Sequence, residues 1–156
     1  MASSPPPEAD LAISSGGTAH WLAALPPPAP AAELGVLQLA WLGDAVWELH
    51  QRLRHSHSAG RAADLHRAVV SQVQAQAQAA ALRRLEPLLT SQERDLVRRG
   101  RNRAGRGPRP GEAATYGQAT GFETMLGWLF LRNPQRLAEL LDHLDESAPL
   151  PLASSP

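Results

Sequence analysis

Two carboxylates in this chain stand where a helix has no ordinary use for them. Over Glu33–Arg54 the spacing predicts a helix. At 100° per residue, Leu39, Leu42, Val46, Leu49 and Leu53 form one apolar stripe, and Leu37, Ala40, Trp41 and Trp47 lie on the other side. The segment is therefore apolar almost all round in its middle, the pattern of a central, buried helix. Asp44 falls in the second stripe, directly after Gly43. A glycine in mid-helix costs about 1 kcal/mol relative to alanine, a cost that another backbone passing close would explain. The stretch Ala113–Arg132 repeats the pattern, with Glu123 sharing a face with Tyr116, Ala119, Leu126, Gly127 and Phe130. An unpaired carboxylate in apolar surroundings is strongly destabilising or is forced neutral. Each must therefore find an arginine, a hydrogen-bonding partner or a metal. Two carboxylates from separate helices, converging on one divalent cation, satisfy both at once, and all-oxygen ligation suits Mg²⁺ or Mn²⁺. The other reading is structural: each carboxylate pairs with an arginine in the core.

The elements that would position them read as helices throughout. After Glu33–Arg54, a second helix is expected from Arg61 or Ala62 to Glu86, with Asp64 capping or opening it and Pro87 ending it. Thr90-Ser-Gln-Glu93 has the spacing of a capping box and opens a third helix to about Arg101. Asn102–Gly111, rich in Gly, Pro and Arg, is expected as a loop. Ala113–Arg132 is the fourth helix, and Asn133-Pro134, an N-cap followed by proline, starts a fifth to about Glu146. No alternating strand pattern is visible, so the fold class is all-α, a helical bundle. His50, His55 and His57 lack zinc spacing and read as exposed helix-end residues. The run Gln72-Val-Gln-Ala-Gln-Ala-Gln78 reads as exposed helix with no chemistry.

Composition narrows the function classes. The 156 residues suit one domain. All fifteen basic residues are arginine and are balanced by fifteen acids, so a globally basic nucleic-acid binder is excluded but a basic face is not. The absence of cysteine excludes disulfides and thiolate metal sites. No apolar run approaches the roughly 18–20 residues that span a bilayer, and the first arginine, Arg52, comes too late for a basic targeting peptide. A soluble, cytoplasmic protein without a membrane partner is expected. Met1–Ala32 holds seven of the fourteen prolines and reads as a disordered tail, as does Ser147–Pro156. Trp21 and Leu22 are the exception, a short segment that could dock. The expected domain is Glu33–Glu146.

Local sequences then change the balance between the two readings of the carboxylates. Leu42-Gly-Asp-Ala-Val46 resembles the signature helix of the ribonuclease III family, and Phe122-Glu123-Thr-Met-Leu-Gly127-Trp-Leu-Phe-Leu131 resembles its second acidic motif. Within the family the chain most resembles the short form, Mini-ribonuclease III, through Asp64-Leu-His66, Arg99-Gly-Arg-Asn102 and Thr115-Tyr116. The resemblance implies a ribonuclease III endonuclease-domain bundle and a Mg²⁺-dependent endonuclease acting on double-stranded RNA. It makes Asp44 and Glu123 the catalytic metal ligands. It also implies a homodimer with one acidic site per subunit and a role in maturing large-subunit (23S) ribosomal RNA precursor. Full-length members carry carboxylates where this chain has Leu37, Ala40 and Thr120, so the acidic set is reduced. They also carry a double-stranded-RNA-binding domain, and only ten residues follow Glu146 here. The catalytic domain is therefore expected to bind its own substrate.

Charge placement indicates where. Arg83–Arg109 holds nine arginines against Glu86, Glu93 and Asp95, whereas the rest of the chain is net acidic. Arg98, Arg99, Arg101, Asn102, Arg103, Arg106 and Arg109 surround the Gly/Pro-rich loop, and His66 joins them as a candidate RNA contact. Arginine suits bidentate phosphate contacts. No aromatic residue is interleaved there, which argues against single-strand stacking and for duplex RNA held by shape and phosphates. Two rival functions stay open from sequence: a non-catalytic RNA-binding module of the same fold, and a helical protein-interaction adaptor.

Overall fold

A computed structural model describes Leu22, residues 34–56 and residues 60–147. In chain order the helices are α1 (Val36–Ser56), α2 (Ala62–Val73), α3 (Ala75–Leu85), a single 3-10 turn (Glu86–Leu88), α4 (Ser91–Arg103), α5 (Ala113–Arg132) and α6 (Pro134–Glu146). No strand occurs among the described residues. The all-α expectation holds.

The helix ends show why the chain breaks where it does. Thr90 accepts from the Glu93 amide while the Glu93 carboxylate accepts from the Thr90 amide at 2.8 Å, so the capping box that opens α4 is complete. Asn133 accepts from the Arg136 amide at 3.1 Å and Pro134 follows, which starts α6. Between α4 and α5 the chain turns through Gly105, Gly107 and Gly111, all with positive φ. Two expectations need correction. Asp64 is not the cap of α2; Arg61 occupies that position without a side-chain cap, and Asp64 lies in the first turn, ion-paired with Arg67. The helix expected to run unbroken to Glu86 is interrupted at Gln74, whose ψ of 150° is extended, so it forms α2 and α3. No glycine or proline marks that break. It re-aims the chain so that α3 lies along α5.

Helix α5 is the centre of the bundle. Its Phe122, Met125, Leu126 and Leu129 are buried against Val46 and Trp47 of α1, Leu82 and Leu85 of α3, Leu96 and Val97 of α4, and Leu137, Leu140 and Leu141 of α6. The Trp47 indole N–H donates to the Gln72 carbonyl at 2.9 Å and packs edge-on against Phe122. The predicted boundary at residue 33 misses one member of this core: Leu22 has no exposed surface and belongs to the same cluster. Burying a leucine is worth about 1.5–3 kcal/mol, enough to hold one residue of a Pro-rich stretch in place. Trp21 lies outside the described residues.

The expectation that α1 is buried all round also needs correction. Leu39, Ala40, Val46 and Trp47 are buried, but Leu37 is 48% exposed, Leu49 46% and Trp41 82%. Each apolar stripe of α1 has members that this chain buries, and the exposed face, with Leu37, Trp41 and Leu49, draws on both.

Candidate active site

Asp44 and Glu123 are brought together by glycines. A Cβ on Gly43 would fall 2.6 Å from the Glu123 carbonyl carbon, nearer still to its oxygen, and 2.9 Å from the Gly127 nitrogen. Conversely, a Cβ on Gly127 would meet the Leu39 carbonyl, 2.9 Å from its carbon. The α1 and α5 backbones therefore touch at this crossing, as the mid-helix glycine predicted, and residues that flank it face each other. Gly100 and Gly121 make a second close crossing, of α4 on α5, where a Cβ on Gly100 would lie 2.8 Å from Gly121 Cα.

At the first crossing Asp44 and Glu123 are both half-buried. Burial, and then the negative charge of Asp44, push the Glu123 carboxyl up to about 8, with a hydrogen bond from Gln78 partly offsetting the rise. No basic residue contributes to that shift. The Gln78 side-chain amide also donates to Asp44 Oδ1 at 3.4 Å. Among the described residues no group of three His, Cys, Asp or Glu side chains comes together, so the site consists of two carboxylates and one amide. The arginine pairing weighed above is realised elsewhere. Buried Glu93 takes two hydrogen bonds from the Arg136 guanidinium, the shorter 2.8 Å from Nε. Burial alone would raise its pKa, but Arg136 and the Thr90 amide outweigh it and hold the carboxyl below its ordinary value. Asp145 is likewise paired, with Arg54 at 3.5 Å and His50 at 3.0 Å, whereas no basic residue enters the shift of Glu123 beside Asp44. Such a pair suits a divalent cation.

Comparison with known proteins decides the family. The Ribonuclease III domain pattern matches residues 37–134. The chain is similar to Mini-ribonuclease 3 of a Synechococcus strain, 51% identical over 117 residues that cover 75% of this chain and 85% of that protein. The chain belongs to the Mini-ribonuclease 3 branch of the ribonuclease III family. Mini-ribonuclease 3 of Symbiobacterium thermophilum is 48% identical, covering 67% of this chain and 83% of that protein. A crystal structure of a Fusobacterium nucleatum protein shares the fold at a TM-score of 0.65 and 24% identity, covering 73% of this chain and 91% of that one. Ribonuclease III family membership makes the chain an endoribonuclease.

Among the described residues no other carboxylate joins the pair in place of those that full-length members carry. Ala40 is buried, Leu37 is half exposed, and the Thr120 hydroxyl is occupied in donating to the Tyr116 carbonyl at 3.0 Å. The candidate RNA-binding residues are all exposed but do not form one cluster. Arg98 and Arg101 line a cleft with Arg94, Glu86 and Pro87. Arg109 lines another with Gln74, Gln76 and Tyr116, and Tyr116 stands two turns before Glu123 on α5. Arg99, Asn102, Arg103 and Arg106 are exposed along the end of α4 and the loop after it. His66 sits apart, in a cleft with Arg52 and His55.

Three polar residues expected to be exposed are not: Gln78 and His50 are buried, and His55 is half-buried. Gln78 is not exposed helix but 2% exposed and bonded to the site. It falls on the stripe Gln78, Leu82, Leu85, and that spacing was the available signal. His50 is fully buried rather than exposed, its Nε2 3.0 Å from Asp145 Oδ2 on α6, while His57 lies outside the described residues. A partner 95 positions away leaves no local pattern.

Proposed function

We propose that the chain is a Mg²⁺-dependent endoribonuclease that cuts double-stranded RNA, with Asp44 and Glu123 as its catalytic metal ligands. The observation that carries this reading is a pair of carboxylates pressed together at a glycine crossing, one held to a pKa of about 8, with no basic residue in the shift. That arrangement is costly for the fold and is relieved by a cation of two positive charges. The donors are oxygens, the chemistry of a Mg²⁺ or Mn²⁺ site. When bound, such an ion supplies Lewis acidity, offsetting charge that builds on the phosphate and acidifying water.

In this reading the protein's own residues divide the work. Asp44 and Glu123 supply the negative charge that holds the ion, and Glu123 must give up its proton to do so. The glycine crossing fixes their separation. The exposed arginines of α4 and its following loop hold RNA phosphates, without base contacts, as suits a duplex read by shape.

The open apolar stripe of α1 supports a homodimer. Leu37, Trp41, Ala45 and Leu49 recur every fourth residue on one exposed face, and a second copy offering the same face would close it symmetrically. Each subunit would then cut one strand. The substrate proposed is a large-subunit ribosomal RNA precursor, encountered in the cytoplasm. Among the described residues no helix is long and apolar enough to cross a membrane.

The test is incubation of the full-length chain with duplex or single-stranded RNA of the same sequence, in Mg²⁺ or in EDTA, resolved on a denaturing gel. Discrete cleavage of the duplex in Mg²⁺ alone is expected. Equal cleavage in EDTA, or cleavage of the single strand only, would contradict the reading.

A further inference from the structure

Three helices contribute to the site, and the third contribution is Gln78. Its side chain is almost completely buried, and a buried amide must find partners. Its Nε2 donates to Asp44 Oδ1 at 3.4 Å, and the amide is near enough to Glu123 to counter part of the rise in its pKa. It is delivered by the break at Gln74, which ends α2 and places Gln78 in the first turn of α3. Ala77, Ala79, Ala80 and Ala81 are too short to reach, and Gln76, the other amide of that turn, is exposed and lines a different cleft with Arg109 and Tyr116.

The residue type matters as much as the position. A glutamine amide carries two N–H donors and no charge. It can bind both carboxylates at once and leave their combined negative charge intact. Arginine at this place would neutralise the pair, as Arg136 does for Glu93 in the same bundle. The structural carboxylate takes a guanidinium; the pair at the site takes an amide. We infer that Gln78 is a positioning residue for Asp44 and Glu123, holding them side by side as ligands for a divalent cation without competing for their charge. This rests on the metal-dependent reading above. Partners that orient metal ligands in this way typically account for about 10–100-fold in metal affinity or activity.

The test uses the full-length chain with Gln78→Met, close in size but without the donors, and Gln78→Leu as a second variant. Mn²⁺ binding is measured by calorimetry in the absence of RNA, beside Asp44→Asn. Thermal melting and duplex-RNA affinity in EDTA serve as controls. Both Gln78 variants should bind Mn²⁺ about tenfold or more weakly than wild type. The Mg²⁺ concentration for half-maximal cleavage should rise by a similar factor, while kcat at saturating Mg²⁺ recovers most of its value and RNA affinity in EDTA is unchanged. A merely structural glutamine would move the melting temperature and leave Mn²⁺ affinity alone. Wild-type Mn²⁺ affinity in both folded variants, with Asp44→Asn binding weakly, would overturn the role of Gln78 and spare the metal site. Wild-type affinity in Asp44→Asn, or no Mn²⁺ uptake by wild type, would overturn the site itself and the role of Gln78 with it.

Discussion

Gly43 lies against the main-chain carbonyl of Glu123, with no room for a side chain between them. The residue after the glycine is Asp44, so one backbone contact both joins α1 to α5 and sets two acids side by side. Replacing Gly43 with alanine should therefore harm the fold and the site together. Overpacking typically costs 1–3 kcal/mol, occasionally more, and here the obstructing wall is backbone that cannot change rotamer. A loss of at least about 2 kcal/mol is expected for Gly43→Ala, with cleavage falling further than the residual folded fraction explains. Urea denaturation alongside the cleavage rate checks this; an unaffected midpoint would show that the crossing is looser than described.

The raised Glu123 carboxyl ties stability to pH. In the unfolded chain the group ionises near 4.5, but in the metal-free fold it keeps its proton up to about 8. Between those values the folded state binds more protons, so its stability falls as pH rises through that window. Glu123→Gln carries no such proton. In EDTA, wild type should lose stability relative to this variant from pH 4.5 to 8, by of the order of a few kcal/mol, and Mg²⁺ should return most of it near pH 8. Parallel pH dependence in melts of the two proteins would contradict the assignment.

The exposed face of α1 predicts an association state. Trp41→Glu places a charge at the centre of the open stripe Leu37, Trp41, Ala45, Leu49. The variant should sediment as a monomer with its helix content intact, because Trp41 contributes little to the core of its own chain. Hot-spot tryptophans account for about 2 kcal/mol or more of an interface, so dimer dissociation should strengthen at least thirtyfold, roughly. Sedimentation equilibrium decides it, and a wild type that is already monomeric at high concentration would refute the dimer.

Leu22 carries a fourth prediction, for the segment before α1. Its side chain is fully buried in the main core, and leucine-to-alanine changes in such places cost about 2–5 kcal/mol. Leu22→Ala should melt lower than wild type by several degrees, and a chain beginning at Glu33 should melt at least as low. Equal melting temperatures in calorimetry would show that the stretch adds nothing to the domain.

Much of this was legible in the residues. Helix periodicity, the Thr90–Glu93 box and Asn133-Pro134 gave the element order, because caps and period are local properties of the chain. Gly43 announced a close backbone because its cost needs a reason, and two acids in apolar stripes announced a meeting point. What was not legible depends on distant parts of the molecule. The break at Gln74 carries no glycine or proline, so the run around it read as continuous exposed helix and Gln78 was passed over. His50 looked like a helix-end residue because its partner, Asp145, comes from the last helix. Both apolar stripes of α1 looked buried, since a single sequence does not say which of their members this chain covers.

The measurement that bears most directly on the central claim is duplex-RNA cleavage by Asp44→Asn, Glu123→Gln and the double variant, each purified and folded, at saturating Mg²⁺. The amides keep shape and remove the charge that holds the cation. Each single variant should be inactive on the gel while still binding duplex RNA, and the double variant should be little worse, because both acids serve one shared site. Near-wild-type cleavage by Asp44→Asn would contradict the account.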